Sequence, residues 1–380
     1  TGPLTVPSIT RQVHAEGARE VVVVTDDPKR YRNESGFATG VKVHDRKDLD
    51  RVQRRLREVP GVTVLVYEQT CAAVKRRRRK RGKYPDPPRR IFINEEVCEG
   101  CGDCSDKSNC LSIVPVETQY GRKRRVDQSS CNKDFSCREG FCPSFVSVQG
   151  GRLRRLAGVA EVPRHLQLLP EPDRPDLLND RPYNILVTGI GGTGVVTISA
   201  MITMAAHLEG QACQAIDQFG MAQKGGAVTS HIRLAATANA ISAVHLDSGS
   251  ADLVLGCDAL VAAGDLALKT VSSERTRLVI NTHQAITGHF TRSPDLEYPK
   301  DDLDERLKQA TGASHLTFID ATRIATRLMG DAIATNMFML GYAYQRGLIP
   351  VSSSGIEPVS YTHLRAHETE ADLVCRLLLE

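Results

Sequence analysis

The chain has 380 residues, of which 41% are hydrophobic and 25% charged, with a net charge of +4. That composition is ordinary for a soluble globular protein with room for two or three domains. No apolar run reaches the ~20 residues of a membrane helix; the best stretch, Val195–Leu208, is broken by Thr and Ser, so no membrane span is expected. Eleven cysteines without a signal-peptide pattern point to metal or catalysis rather than disulfides, and to the cytoplasm. The first residue is Thr1, and the chain reads as starting partway through a longer protein.

Taken in order, Arg19–Thr25 and Val62–Tyr67 are short β-branched runs, with a polar helix expected over Lys47–Glu58. Then comes Lys75–Arg90, with ten Lys/Arg against Asp86. A nucleic-acid patch is one reading of that run. A solvated linker is the other, and it is favoured because no aromatic residue interleaves within Lys75–Lys83; no nucleic-acid partner is expected. Three prolines in Tyr84–Arg90 mark a domain boundary. Ile91–Val148 lacks a conventional apolar core, so metal would supply much of its folding energy. Residues 151–182 read as a linker. From Tyr183, strands are expected at Ile185–Thr188, Gln214–Asp217, Val228–Leu234, Leu253–Gly256, Arg277–Asn281 and Thr317–Asp320, with helices between them. The fold class is therefore multidomain α/β: the end of one α/β domain, a small ferredoxin-like iron–sulfur module, and a mainly parallel α/β domain.

Seven of the eleven cysteines lie between Cys98 and Cys142. Cys98-x2-Cys101-x2-Cys104 brings three thiolates to one cubane, and its fourth ligand comes from the Cys-Pro cysteine of another motif, here Cys142 before Pro143. The second motif repeats the spacing as Cys131, Asp134 and Cys137, with Asp134 in place of the middle cysteine. Crossing the two assigns Cys98, Cys101, Cys104 and Cys142 to one [4Fe–4S] cluster. Cys110, Cys131 and Cys137 go to a second, with Asp134 or an open, three-iron site at the fourth position. The third-to-fourth spacings, x5 and x4, are longer than the usual x3. Zinc is the competing reading, but structural zinc favours two separated Cys-x2-Cys pairs. Cys71, Cys213 and Cys257 are expected to be small buried residues away from both groups.

Gly189, Gly191, Gly192 and Gly194 form a glycine-rich turn between a strand and a helix, the context of a phosphate cradle. Asp217, 23 residues after Gly194, stands roughly where a ribose-binding acid would. The same glycines also serve close strand–helix packing, and both readings stand. Lys224, before Gly225-Gly226, is either an anion contact or a solvated lysine.

Taken together, VVVVTDDPKRY, VLVYEQTCAAVKRRRRKRG, INEEVCEGCGDC, VDQSSCNKDFSC, GIGGTGVVTISAMITMAAHLEG and FGMAQKGGAV resemble the indolepyruvate ferredoxin oxidoreductases, over about Leu4 to Glu357. That resemblance implies thiamine-diphosphate- and Mg2+-dependent oxidative decarboxylation of an aryl-pyruvate. Coenzyme A takes the acyl group, and ferredoxin takes electrons through the clusters, in a homo-oligomer. It divides the chain into residues 1–85 (the C-terminal part of the thiamine-diphosphate domain with a basic linker), 86–150 (the two-cluster module) and 183–357 (a gamma-type catalytic domain). No Gly-Asp-Gly with a downstream Asn occurs in residues 1–74, so an internal fragment, inactive by itself, is expected. In this resemblance the glycine loop shapes the gamma-type domain and need not bind NAD. Residues 358–380 resemble a translated adapter and are expected to be non-native. Two other functions fit the motifs: an NAD(P)H- or flavin-linked iron–sulfur oxidoreductase, and a non-catalytic ferredoxin-like adaptor.

Overall fold

Four consecutive valines centre the first sheet. Strand β1 (Glu20–Thr25) is buried from Val21 onward, as a strand with parallel neighbours on both sides must be. It lies between β2 (Lys42–Asp45) and β3 (Thr63–Glu68), parallel to both. Val22 and Val24 pack with Val52 and Leu56 of the helix Leu49–Arg57. The edge strand β2 reads KVHD, too short and polar to signal a strand by alternation. A computed structural model describes residues 4–33, 35–151, 169–177, 180–220, 225–285, 288–289, 293, 295–329 and 332–359. The chain divides into two compact units, 1–86 and 87–380.

The basic run departs from the solvated linker expected of it. Ala72–Lys80 is a helix, because Ala, Lys and Arg are among the best helix formers. Among the described residues, Lys75 Nζ is 2.7 Å from Asp26 Oδ2, and the Arg79 guanidinium lies over the Tyr84 ring.

In the second unit, β4 (Arg89–Ile93) pairs antiparallel with β7 (Phe145–Gln149), and β5 (Ile113–Thr118) pairs antiparallel with β6 (Gly121–Val126). Ile91, Ile93, Ile113, Val126 and Cys98 are the buried core of this small module, and Cys104, Cys110, Cys131 and Cys137 pack against it. So few aliphatic residues would supply little of a stable core.

The larger sheet has the order β13–β12–β11–β8–β10–β9. Its strands are β8 (Tyr183–Ile190), β9 (Ala212–Phe219), β10 (Ala227–Ala235), β11 (Leu253–Gly256), β12 (Arg277–Asn281) and β13 (Leu316–Ile319). β8, β11, β12 and β13 run parallel, while β10 is antiparallel to both β8 and β9. Successive residues of β8 face opposite sides. Ile185 and Val187 meet Ile198, Met201 and Ile202 of the helix Val195–Leu208. Leu186 joins Ala259, Ala262, Leu303 and Leu307 on the other side. The protein is thus mixed α/β with a largely parallel sheet.

The segment before β8 is tied to the helices after β13. Ser353 Oγ donates to Glu171 Oε1 at 2.6 Å, and the Tyr344 hydroxyl donates to Glu171 Oε2. The last helix, Ser353–Val359, buries Ile356 and Val359 in the main core. It therefore runs past residue 358, where the non-native segment was expected to begin. Residues 360–380 lie outside the described ones. Among the described residues, no helix is long and apolar enough to cross a membrane.

Candidate metal centre

Strand β4 delivers the chain into the first cysteine loop through Asn94. The Asn94 carbonyl accepts the Cys98 N–H at 3.0 Å, and its side-chain Oδ1 accepts the Glu96 N–H at 3.1 Å. Gly100 and Gly102 then take φ of +75° and +80°, and the Gly100 N–H points to Cys98 Sγ at 3.4 Å. The helix Asp103–Ser108 follows and carries Cys104. Gly100 is required twice over: by its left-handed φ, and because a Cβ there would stand 2.2 Å from the Arg122 carbonyl oxygen of β6.

The second loop repeats this backbone 33 positions later. Strand β6 leads into Asp127, whose carbonyl accepts the Cys131 N–H at 3.1 Å and whose Oδ1 accepts the Ser129 N–H at 3.0 Å. The Lys133 N–H points to Cys131 Sγ at 3.4 Å. Lys133 and Phe135 are left-handed at +52° and +64°, in the places of Gly100 and Gly102. Asp134 occupies the position of Cys101, and both are exposed. Asp134 Oδ1 accepts the N–H and hydroxyl of Ser136 at 3.3 and 3.1 Å.

The backbone that follows Cys142 and Cys110 pairs with the entries of the two loops. The Asn94 N–H, entering the first loop, donates to the Ser144 carbonyl at 2.7 Å; Ser144 lies two residues after Cys142. The Asp127 N–H, entering the second loop, donates to the Ser112 carbonyl at 2.7 Å; Ser112 lies two residues after Cys110. Cys142 is half-buried, with Sγ 3.0 Å from Ser144 Oγ.

Burial pushes the Cys104 thiol up; Cys98 and Cys101 add to this, and Arg124 opposes it. Burial also raises Cys131, with Cys110 and Asp134 adding to the shift. Cys137 is pushed to about 12 by burial first, then by Cys110, Cys131 and Asp134. Cys98 and Cys101 thus act on Cys104, and Cys110 and Asp134 act on Cys131 and Cys137, with Cys104 also acting on Cys137. Ser144, whose hydroxyl meets Cys142 Sγ, is the residue whose carbonyl accepts the Asn94 N–H.

Among the described residues, no three or more His, Cys, Asp or Glu are gathered closely enough to hold one metal ion. A tetrahedral ion with Zn–S of ~2.3 Å would bring its sulfurs within about 3.8 Å of each other. A cluster of several irons spreads the same thiolates over a larger cage, and N–H···S bonds such as those from Gly100 and Lys133 are a usual part of that setting. The donor set and its loops fit iron–sulfur clusters. Of the remaining cysteines, Cys257 is buried and Cys213 half-buried, but Cys71 is exposed, contrary to expectation.

A family model described as pyruvate ferredoxin/flavodoxin oxidoreductase matches residues 184–366. Indolepyruvate oxidoreductase subunit IorB of Methanothermobacter thermautotrophicus is 31% identical over 174 residues, 46% of this chain and 84% of that protein. The chain belongs to the indolepyruvate ferredoxin oxidoreductase family. A second such subunit, from Archaeoglobus fulgidus, is 29% identical over 46% of this chain and 82% of its own length. Pyruvate oxidoreductase subunit PORC of Thermotoga maritima, a solved structure, aligns at 19% identity and a TM-score of 0.37, over 53% of this chain and 94% of its own. The residues matched by the family model begin after the cysteine module, so the assignment of the thiols stands on their own geometry.

Within the matched segment, the glycine turn joins β8 to the helix Val195–Leu208. Gly192 and Gly194 have φ of +88° and +101°, and a Cβ on Gly189 would meet Val195 at 2.6 Å. Two of the turn's N–H groups are already spent, Gly191 on the Gly226 carbonyl and Thr193 on the Ile190 carbonyl. The expected ribose role of Asp217 is corrected by the sheet order. Asp217 lies on β9, with β10 between β9 and β8. That places β9 about 10 Å from β8, at two strand spacings, and Asp217 Oδ1 accepts the Ser230 hydroxyl at 2.5 Å. Lys224 lies outside the described residues.

Sequence reading missed Asn94 and Asp127, although both stand four residues before the first cysteine of their loops. It also missed Asp258 after β11, which is 3% exposed, caps the Val261 N–H at 3.0 Å and is pushed by burial to about 6.

Proposed function

We propose that this chain supplies the electron-relay module and gamma-type domain of an indolepyruvate:ferredoxin oxidoreductase. Cys98, Cys101, Cys104 and Cys142 hold one [4Fe–4S] cluster, and Cys110, Cys131 and Cys137 hold a second, with Asp134 or an open position at its fourth iron. The observation that carries this reading is the crossed pair of hydrogen bonds, Asn94 N–H to Ser144 and Asp127 N–H to Ser112. They tie the segment after each fourth cysteine to the entry of the opposite loop, which supports the crossing that two-cluster ferredoxin motifs require.

When bound, the clusters supply one-electron carriers between an oxidised 2-oxoacid and an external ferredoxin. The chain's own residues set the conditions for that. Gly100 and Lys133 direct N–H groups at the first sulfur of each loop, withdrawing charge from the thiolate. Ile91, Ile93, Ile113 and Val126 exclude water from the inner side of both loops. Cys101 and Asp134 face solvent, giving each group an outward side within reach of a redox partner.

In this reading, residues 1–85 are the C-terminal part of a thiamine-diphosphate-binding domain, 86–150 the relay and 183–357 the gamma-type domain. Thiamine diphosphate and Mg2+, an aryl-pyruvate and coenzyme A belong to the complete homo-oligomeric cytoplasmic enzyme. Anaerobic reconstitution followed by iron and acid-labile sulfide assay tests the reading. The expected result is seven or eight irons per chain, about four per complete cubane. Stoichiometric zinc binding with no sulfide uptake would overturn it.

A further inference from the structure

The four parallel strands of the larger sheet start at one edge, and that edge holds a cavity of about 440 Å³. Tyr183 opens β8 and Arg277 opens β12, while Asp252 and His315 stand immediately before β11 and β13. All four line the cavity, together with Arg275 and Arg346. Its volume falls in the range of small-ligand sites, ~300–1,000 Å³. Parallel α/β sheets usually bind ligands beyond the carboxyl ends of their strands. Here the glycine turn stands at that end of β8, so the cavity is a separate site at the opposite edge.

One wall of the cavity is fixed by the segment that precedes β8. Gly347 lines it with φ of +67°, and a Cβ there would stand 2.3 Å from the Asp173 carbonyl oxygen. Gln345 Nε2 donates to the Pro170 carbonyl at 2.9 Å. The Tyr183 hydroxyl donates to the Leu348 carbonyl at 3.0 Å, which ties the same wall to the sheet.

Three arginines line the cavity against one acid, and that acid is already engaged. Asp252 Oδ1 lies 3.0 Å from Arg181 and 3.2 Å from Arg275, and Oδ2 accepts the Asn184 N–H at 2.8 Å. Two guanidiniums thus answer one carboxylate. The other two arginines meet neutral acceptors. Arg277 donates to the Ser314 carbonyl at 3.3 Å, and Arg346 to the Tyr342 hydroxyl at 3.4 Å. Among the described residues, no carboxylate pairs with either.

We propose that this cavity binds a small dianion, a phosphate or dicarboxylate carried on a small molecule, through Arg277 and Arg346. A guanidinium stays charged at any physiological pH and presents planar N–H pairs that match the oxygens of either group. Two such cations suit two negative charges, and partial enclosure strengthens the attraction by excluding some of the water. Asp252 does not repel the ligand strongly, because Arg181 and Arg275 offset its charge. The site needs neither iron nor the glycine turn, so it stands apart from the cluster reading.

The test is equilibrium dialysis of the full chain at fixed ionic strength, with labelled inorganic phosphate and, separately, labelled succinate. Wild type should bind at least one of them saturably, with one equivalent per chain, and the preferred probe tells phosphate from dicarboxylate. Arg277→Gln or Arg346→Gln should weaken that binding at least about tenfold. Arg54→Gln, which removes an exposed arginine paired with Asp50 in the other compact unit, should leave it unchanged. Phenylglyoxal labelling of wild type, read by mass spectrometry, needs no variant to fold. The bound probe should slow modification of Arg277 and Arg346 and leave Arg54 reacting as before. No saturable binding of either probe overturns the proposal, as does a loss below tenfold in both folded Gln variants. Equal weakening by Arg54→Gln, or labelling of Arg277 and Arg346 that the probe does not slow, overturns it too.

Discussion

The two cysteine loops share one backbone built from different residues. Each enters through a side chain that bonds its own loop, each turns twice through left-handed φ, and each points an N–H at its first sulfur. The first loop reaches those angles with Gly100 and Gly102. The second reaches them with Lys133 and Phe135, and a third non-glycine residue, Asn109 at +48°, precedes Cys110. All the positive-φ non-glycine residues among those described therefore border the second group. Each costs roughly 1–3 kcal/mol that the surrounding structure must offset. The comparison teaches that the required conformation is set by the ligand loop. Glycine is one way of meeting it, and strain held by neighbouring contacts is another.

The largest expected effect falls on the glycine side. Gly100→Ala meets both the strain of a left-handed φ and the Arg122 carbonyl at 2.2 Å, so it should cost roughly 3 kcal/mol or more. Thermal melts of the apo-protein and iron content after reconstitution would measure this. Lys133→Ala, at the equivalent position, keeps a Cβ where one already exists and should cost far less. Equal losses for the two variants would break the equivalence of the loops.

Next comes the crossing of the fourth ligands. Cys142→Ser should remove the first cluster and leave the second, while Cys110→Ser should do the reverse. Iron counts and low-temperature spectra of both variants give the answer. Loss of the nearer cluster in each case, first for Cys110 and second for Cys142, would show that each loop takes the cysteine that follows it.

Much of this site was legible in the spacing of the cysteines, because Cys-x2-Cys-x2-Cys constrains a loop almost independently of what surrounds it. The 33-residue repeat of Asn94 and Asp127 was also present in the sequence. Its meaning depends on hydrogen bonds to Ser112 and Ser144, and those residues give no periodic signal. Strand positions in the larger sheet could be read from β-branched runs such as Ile185–Val187. Their lateral order could not, because alternation along a strand says nothing about which strand lies beside it. The insertion of β10 between β8 and β9 is what took Asp217 out of reach of the glycine turn. The basic run misled for the opposite reason: its charge suggested solvent, while its helix propensity decided its structure.

A smaller effect concerns the one ligand position at which the loops differ. A carboxylate is a harder ligand than a thiolate and holds an iron less firmly among sulfur ligands. The second cluster should therefore lose one iron on mild oxidation and give a three-iron signal in electron paramagnetic resonance. Asp134→Cys restores the pattern of the first loop and should suppress that signal, with the first cluster unaffected. Since Asp134 Oδ1 also accepts from Ser136, Asp134→Asn is the useful control. It keeps an acceptor for Ser136 and removes the charge, so its three-iron signal should persist. The same three-iron signal in wild type and Asp134→Cys, or none in either, would leave Asp134 as a loop residue and nothing more.

The smallest effect is the sharpest test of how the second loop holds its shape. Lys133 and Phe135 carry the same kind of strain, but their side chains are engaged differently. Lys133 is a polar chain whose Nζ reaches the Pro87 carbonyl at 3.5 Å, a long contact. Phe135 packs on the module core, and the Arg89 guanidinium lies over its ring at 3.9 Å from the centroid, a contact worth about 0.5–2 kcal/mol. Replacing Lys133 by Gly removes left-handed strain but gives up the contacts of the side chain, while the unfolded chain gains some freedom. The expected net change is small, within about 0.5 kcal/mol of zero by those terms. Phe135→Gly relieves the same strain but gives up the buried ring and its cation, so stability should fall by roughly 1–2 kcal/mol on balance. Denaturant melts of the apo-protein with each substitution would read both changes. If Lys133→Gly destabilises as much as Phe135→Gly, the left-handed turn at Lys133 is held by its side chain after all, and the two residues are not divided into strain and clamp.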